Sequence, residues 1–300
     1  MPELSYNRVL QWVELVDGNT TFTNRQIWDE LNIKTTTAKS NLRVYLKTMA
    51  DAGIITRTNS HGTFRKIDVN KEVMNWREAM PENIVSLHWP FGIEKYASIY
   101  PRNVVLLAGT KQQGKSTYLY NFIKLNMYNY DIELFNSETG EEQMKARFTD
   151  LGIPLDAPFE VYRRFDNFAD VVNPDNISVI DYLDFNSEFY LAGAEIDAIF
   201  RKKRNGIAII AMHIPPPSVV YVKGVRKVID RDYAYGGGST AKRAFIYLSM
   251  GSHKLKIKHA KKPAQKKVNP ENITWSYSFD ENGQFTNIQR YYGDDTREFI

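Results

Sequence analysis

Val104-Val105-Leu106-Leu107-Ala108 runs into Gly109-Thr110-Lys111-Gln112-Gln113-Gly114-Lys115-Ser116, and then into Thr117-Tyr118-Leu119. The first five residues are apolar without interruption, which predicts a strand buried on both faces. The next eight fit G-x-x-x-x-G-K-[ST], and an apolar helix follows. Strand, loop and helix in that order are the context this motif requires. Backbone N–H groups of such a loop, with the helix N-terminus behind them, cradle phosphate oxygens. Lys115 is expected to reach the β- and γ-phosphates as a point charge, and Ser116 to ligate Mg²⁺. Gly109, Thr110, Lys111, Gln112, Gln113, Gly114 and Thr117 complete the expected cradle. A nucleoside triphosphate, with ATP the expected one, and Mg²⁺ are the cofactors this reading implies.

Further along the chain the pattern is strands alternating with helices. Strands are expected at Val104–Ala108, Ile132–Asn136, Ile177–Asp181 and Ile207–Met212, with helices at 115–127, 140–151 and 187–204 between them. That alternation predicts an α/β fold with a mainly parallel sheet. The end reads as antiparallel: Ala244–Ser249, Lys254–Lys258, then Thr274–Asp280 and Gln284–Arg290 around the turn Glu281-Asn282-Gly283. Asp181 closes the apolar strand Ser178-Val179-Ile180-Asp181, 66 residues beyond Lys115. A carboxylate there can hold Mg²⁺ through water. Glu138, in Leu134-Phe135-Asn136-Ser137-Glu138, lies just past the second strand, where a carboxylate can orient and deprotonate water. The helix dipole alone also favours acids at this place, and Glu141 and Glu142 follow in the first turn.

The first 70 residues have another character. Apolar residues at Val9, Leu10, Val13 and Leu15 predict one helix. Thr23 with Gln26 three residues on is a capping-box signature for a second. Thr35 or Thr36 opens a third, with Ala38, Leu42, Val44, Leu46 and Met49 as its buried side. A hairpin with a Gly-bearing loop, 54–58 and 63–67, ends the segment. Three helices followed by a hairpin resemble a winged helix, a helix-turn-helix variant. Lys39, Arg43 and Lys47 lie on the outer face of its third helix, suited to a duplex groove; a protein partner is the alternative. Residues 71–100, punctuated by Pro81, Pro90 and Pro101, read as a linker and entry to the core, leaving 101–300 as the main domain.

Composition narrows the class. A content of 43% hydrophobic and 25% charged residues is that of an ordinary globular protein. No apolar run reaches the roughly 18 residues of a membrane span. The start Met1-Pro2-Glu3-Leu4-Ser5 has no secretory pattern, and the chain has no cysteine. A cytoplasmic protein without thiol chemistry or membrane partners is therefore expected. The net charge of +4 conceals an asymmetry. Residues 131–200 hold 16 Asp and Glu against 4 Lys and Arg, a balance of −12; residues 201–267 hold 17 against 2, a balance of +15. The basic segment suits a polyanion, and the two segments can equally neutralise each other within the fold or between subunits.

Taken together, Ala108–Thr117, Phe135-Asn136-Ser137-Glu138 with Gln143 and Arg147, and Val179-Ile180-Asp181-Tyr182-Leu183 resemble the RecA-like ATPases, and most of all the DnaB-like replicative helicases. The resemblance spans roughly residues 85–290. It implies a RecA-like core, ATP hydrolysis, assembly into a homo-oligomeric ring or filament, and Glu138 as the catalytic base. It places His213, after Gly206–Met212, where the family carries a γ-phosphate sensor that is usually Gln. It puts single-stranded DNA at the long stretch after His213, where Lys223, Arg226, Lys227, Lys242 and Arg243 are the expected contacts. It makes Lys261 and Lys262 candidates for a finger entering a neighbour's site, where the family has Lys and Arg. The family's own N-terminal domain is a different helical one. A helicase or translocase of replication or recombination, from a phage or mobile element, is the reading that results. A DNA-bound loader or transposition regulator and a KaiC-like signalling ATPase stand as alternatives.

Overall fold

Ser5 starts the first helix by accepting a hydrogen bond from the Arg8 N–H (3.3 Å), and α1 runs Tyr6–Leu15. The computed structural model describes residues 4–16, 20–69, 71, 73–183, 191–216, 218–222, 225–229 and 231–293. A short strand β1 (Thr21–Thr23) precedes α2 (Asn24–Glu30). The capping box forms as the sequence predicts: Gln26 N–H donates to the Thr23 hydroxyl (3.3 Å), and Thr23 N–H to Gln26 Oε1 (2.7 Å). Thr35 caps α3 (Thr36–Asp51), and β2 (Ile55–Arg57) and β3 (Thr63–Lys66) follow. These strands form an antiparallel sheet in the order β1-β3-β2. Val9, Val13, Ile27, Leu42, Leu46 and Met49 pack with Phe22 and Phe64 as its core. Two expected core residues are exposed instead, Leu15 and Val44. Each is two residues from a buried one, about 200° round the helix, so the same stripe cannot include both. β1 escaped the sequence reading because three residues show no period; it exists through its pairing of Phe22 with Phe64.

These elements belong to one compact unit, Met1–Ala79; the second is Met80–Ile300. Leu87, Trp89, Ile93, Ala97 and Ile99 are buried in the second unit, around a 3-10 helix at Pro90–Lys95. Then come β4 (Val104–Gly109), α4 (Lys115–Asn126), β5 (Ile132–Asn136), α5 (Glu141–Asp150), β6 (Phe159–Arg163), α6 (Phe168–Val171), β7 (Ile177–Asp181), α7 (Leu191–Lys202) and β8 (Ala208–His213). The chain continues through β9 (Ser218–Val222), β10 (Val225–Ile229), α8 (Gly238–Ala241), β11 (Ala244–Gly251), β12 (Lys254–Ala260), β13 (Thr274–Phe279) and β14 (Phe285–Tyr291). Nine strands form one sheet in the order β14-β13-β12-β11-β4-β8-β7-β5-β6. From β11 to β6 every pairing is parallel, and β12, β13 and β14 add an antiparallel end. The fold class is therefore α/β with a mainly parallel sheet.

Alternation along β4 explains its unbroken apolar sequence. Val105 and Leu107 join the core that holds Tyr118, Phe122 and Ile123 of α4. Val104, Leu106 and Ala108 join the opposite core with Ile196 and Ile199 of α7. Successive side chains point to opposite faces, and both faces are covered. Two parts depart from expectation. The stretch after His213, read as loop, contains the antiparallel pair β9–β10, with Val222 opposite Val225. Strand β6, which the sequence reading did not include, holds Phe159, Val161 and Tyr162 but sits at the sheet edge, mostly exposed.

The other end of the sheet holds a buried lysine. Lys203 is fully buried and donates to Asn173 O (2.7 Å), Asn176 O (2.9 Å) and the Ser178 hydroxyl, which donates in turn to Glu133. Burial pushes its ammonium down to about 8, against the pull of Glu133 and Asp175. Lys203→Met should destabilise the protein by about 3 kcal/mol at pH 7, because the Ser178 hydroxyl and two carbonyls lose their donor and the buried Glu133 loses the charge that faces it. Between pH 8 and 10.5 the unfolded chain binds this proton more tightly than the folded one. Wild type should therefore gain on the variant as pH rises, by at most about 1.4 kcal/mol per unit. Denaturant titrations of both at pH 7 and pH 9.5 measure this; a gap that narrows with pH contradicts it.

Candidate functional site

Gly114 opens α4 in the left-handed region (φ +82°), and a Cβ there would fall 2.6 Å from Phe279 Cζ. Both facts call for glycine. The loop so formed ends at Lys115, whose side chain turns back into the core. Its Nζ donates to Gly109 O and Thr110 O, both at 2.9 Å, and lies 3.3 Å from His213 Nδ1. Burial pushes the ammonium down to about 8; the Asp181 and Glu138 charges oppose that, and Lys111 adds to it. The first-turn N–H groups of α4 have no acceptor within their own helix and face the loop.

The sheet order brings the carboxylates here. β8 lies between β4 and β7, so His213 at its end stands between the loop and Asp181. Asp181 is 3% exposed. Burial raises its pKa, and the neighbouring Ser116 and Tyr120 hydroxyls counteract the rise. Tyr120 lines the same pocket, and burial together with the Asp181 charge pushes its phenol well up. The ends of β5 and β7 are tied: Ser137 N–H donates to Asp181 O (3.0 Å), Ser137 Oγ to Tyr182 O (2.8 Å), and Tyr182 N–H to Ser137 Oγ (3.1 Å). The Tyr182 ring meets His213 edge-on at 4.2 Å. Asn136 Oδ1 accepts from the N–H groups of Glu138 (3.3 Å) and Thr139 (3.0 Å), which fixes the turn that presents Glu138.

Lys115, Ser116, Glu138, Asp181 and His213 thus line one cavity of about 620 Å³, at the C-terminal ends of the parallel strands. Lys111, Gln112, Gly114 and Thr117 line it too, while Gly109 and Thr110 hold Lys115 from behind. Gln113 points elsewhere: its Oε1 accepts from His253 N–H (2.8 Å). Gln143 and Arg147 of α5 belong to the cavity, and so do Phe279, Glu281 and Asn282, which no motif marked. Among the described residues no group of three or more His, Asp or Glu side chains could hold a metal ion by itself. Ser116 and Asp181, hydrogen-bonded to each other, are two oxygen donors that could hold a Mg²⁺ taking its other ligands from phosphate and water.

The expected DNA contacts are distributed over both units. In the N-terminal unit Lys39 lies over the Trp28 ring (4.6 Å), and Arg43 and Lys47 are exposed farther along α3. Arg43 borders an open groove of about 890 Å³ with Arg25, Arg57 and His61. In the second unit Lys223 lies outside the described residues. Arg226 and Lys227 pair in register with Tyr221 and Val220. Lys242 is exposed, whereas Arg243 is engaged with Asp197 and covers the Phe200 ring (4.8 Å). Lys261 and Lys262 are exposed beyond the end of β12. Lys261 N–H pairs with Phe245 O at the start of β11, level with the start of β4. That is roughly 15 Å along the sheet from the Gly109–Ser116 loop of the same chain. The lysines beside that loop are Lys254 and Lys256, with Asp232 accepting from Lys256 (3.0 Å).

No helix among the described residues is long and apolar enough to cross a membrane. No family model and no curated protein matches the chain. Among solved structures it is similar to the RadB recombinase, at 12% identity and a TM-score of 0.41, covering 63% of this chain and 90% of that one. It is also similar to the KaiC-like protein PH0186 of Pyrococcus horikoshii OT3, at 15% identity and a TM-score of 0.47, covering 71% and 100%.

Proposed function

We propose that this chain is a RecA-like ATPase that couples Mg²⁺-dependent ATP hydrolysis to work on DNA. The observation that carries the reading is the convergence of Lys115, Ser116, Asp181, Glu138 and His213 on one cavity beside a Gly-bearing loop at a helix N-terminus. In that arrangement Lys115 and the first-turn amides hold the terminal phosphates. Ser116 and Asp181 hold Mg²⁺, which neutralises charge on the phosphate oxygens. Glu138 takes a proton from water. His213, in contact with Lys115, reports the state of the terminal phosphate to β8. The strand arrangement and the phosphate loop support the RecA-like assignment; a DnaB-like helicase is its most specific form.

The N-terminal unit is proposed to be a winged helix that binds duplex DNA through Lys39, Arg43 and Lys47. The basic segment around Lys223, Arg226 and Lys227 is proposed to grip a single strand by its phosphates. Assembly into a ring or filament is part of the proposal, with Lys261 and Lys262 the candidates for a second copy's site. Deleting residues 1–79 should reduce duplex binding and leave ATP turnover stimulated by single strands. Changing Lys223, Arg226 and Lys227 to Ala should do the opposite and flatten the salt dependence by about one log–log unit per lost contact. Anisotropy and ATPase assays on both variants test this. ATP turnover indifferent to any DNA would shift the reading to a signalling ATPase.

A further inference from the structure

The cavity has two ends, and the sheet order separates them. β8, β7 and β5, with His213, Asp181 and Glu138, lie on one side of β4; β13 and β14 lie on the other. The turn between β13 and β14 nevertheless lines the same cavity through Glu281, Asn282 and Gly283. A triphosphate whose last phosphate faces the carboxylates must leave its nucleoside toward the remaining wall.

That wall is held in place by bonds that spare two side chains. Asp280 Oδ1 accepts from the N–H groups of Asn282 (3.0 Å) and Gln284 (2.8 Å), and Gly283 takes φ +73°. Gln284 Nε2 donates to Asp150 O (2.8 Å) at the end of α5. The Tyr277 hydroxyl donates to Gln113 O (2.7 Å) in the phosphate loop itself. Phe279 is half-buried over Gly114. The turn is therefore fixed relative to the loop. Glu281 and Asn282 are exposed, line the cavity, and make no side-chain hydrogen bond or ion pair among the described residues.

We infer that the β13–β14 turn is the nucleoside subsite, with Glu281 and Asn282 taking the polar edges of ribose and base, and Phe279 offering its ring as an apolar wall. A carboxylate and an amide supply acceptors for hydroxyl and amino protons, and the amide adds donors for ring nitrogens. An aromatic face suits a planar base. The inference rests on the reading of the loop as a triphosphate site, and the test separates the two.

Binding of Mg²⁺-ATP and of Mg²⁺-tripolyphosphate, which has no nucleoside, is measured by calorimetry on the full chain. Wild type is compared with the Glu281→Ala, Asn282→Ala double variant and with Lys115→Ala. The double variant should bind ATP about 5- to 30-fold more weakly, the worth of one to two hydrogen bonds, and tripolyphosphate as wild type does. Its melting temperature should not move, since neither side chain holds the fold. Unchanged ATP affinity, or equal losses for both ligands, overturns the subsite. Lys115→Ala should weaken both ligands; if it weakens neither, the triphosphate reading fails instead. Phe279→Leu keeps apolar packing over Gly114 and should weaken ATP alone.

Discussion

Lys115→Ala is expected to lower ATP turnover at least about a hundredfold, the loss of roughly 2.7 kcal/mol or more of transition-state stabilisation. The structure gives Lys115 a placement that the other basic residues lining the cavity, Lys111 and Arg147, do not share. Lys115 is the cation buried against the loop carbonyls Gly109 O and Thr110 O, and Asp181 and Glu138 both act on its charge. Lys111 lines the cavity but is exposed. Lys115→Arg should not rescue activity: a planar guanidinium cannot reproduce a compact ammonium held by two carbonyls on one side with the site on the other. In an assembly whose sites are completed by neighbours, inactive subunits should poison active ones. Mixing Lys115→Ala chains into wild type should then lower turnover more than dilution does. Steady-state ATPase assays decide both points. Turnover within a few-fold of wild type in the pure variant removes the central claim. A strictly linear mixing curve removes the assembly claim alone.

Glu138→Gln should separate binding from chemistry. The amide keeps the shape of the side chain and its place on the turn that Asn136 builds, since the bonds there come from backbone N–H groups. What is lost is the ability to take a proton. ATP affinity should stay within a few-fold of wild type while turnover falls by about 10²- to 10⁴-fold. Glu141→Gln is the control. Glu141 heads α5, is exposed, and pairs with Arg163 at 3.2 Å, so it serves the helix end and a surface ion pair worth little. Its turnover should match wild type. The assignment fails if Glu138→Gln hydrolyses ATP normally while another carboxylate variant does not.

The sequence by itself determined the local pieces. The glycine spacing and the flanking apolar strand marked the Gly109–Ser116 turn between β4 and α4, Asp181 was read as the end of an apolar strand, and Glu138 as a carboxylate just past the end of β5. The capping box at Thr23 and Gln26 located a helix to the residue. Each of these is a short-range matter of period, turn chemistry or capping, settled within about ten residues. Tertiary structure decided which pieces meet. His213 reaches Lys115 across 98 positions because β8 inserts between β4 and β7, and no local pattern states that order. Tyr277 ties to Gln113 across 164 positions, bringing an exposed turn with no motif of its own onto the cavity that Lys115 and Asp181 line. β6 and β1 exist through pairing with neighbours rather than through any period of their own. Lys254 and Lys256 lie beside the loop while Lys261 and Lys262 do not, because β12 runs antiparallel to β11 and carries its later residues away. The physical reason is the same throughout. Local propensity depends on a residue and its near neighbours, whereas strand order depends on which arrangement buries both faces of β4 at once, and that is a property of the whole second unit.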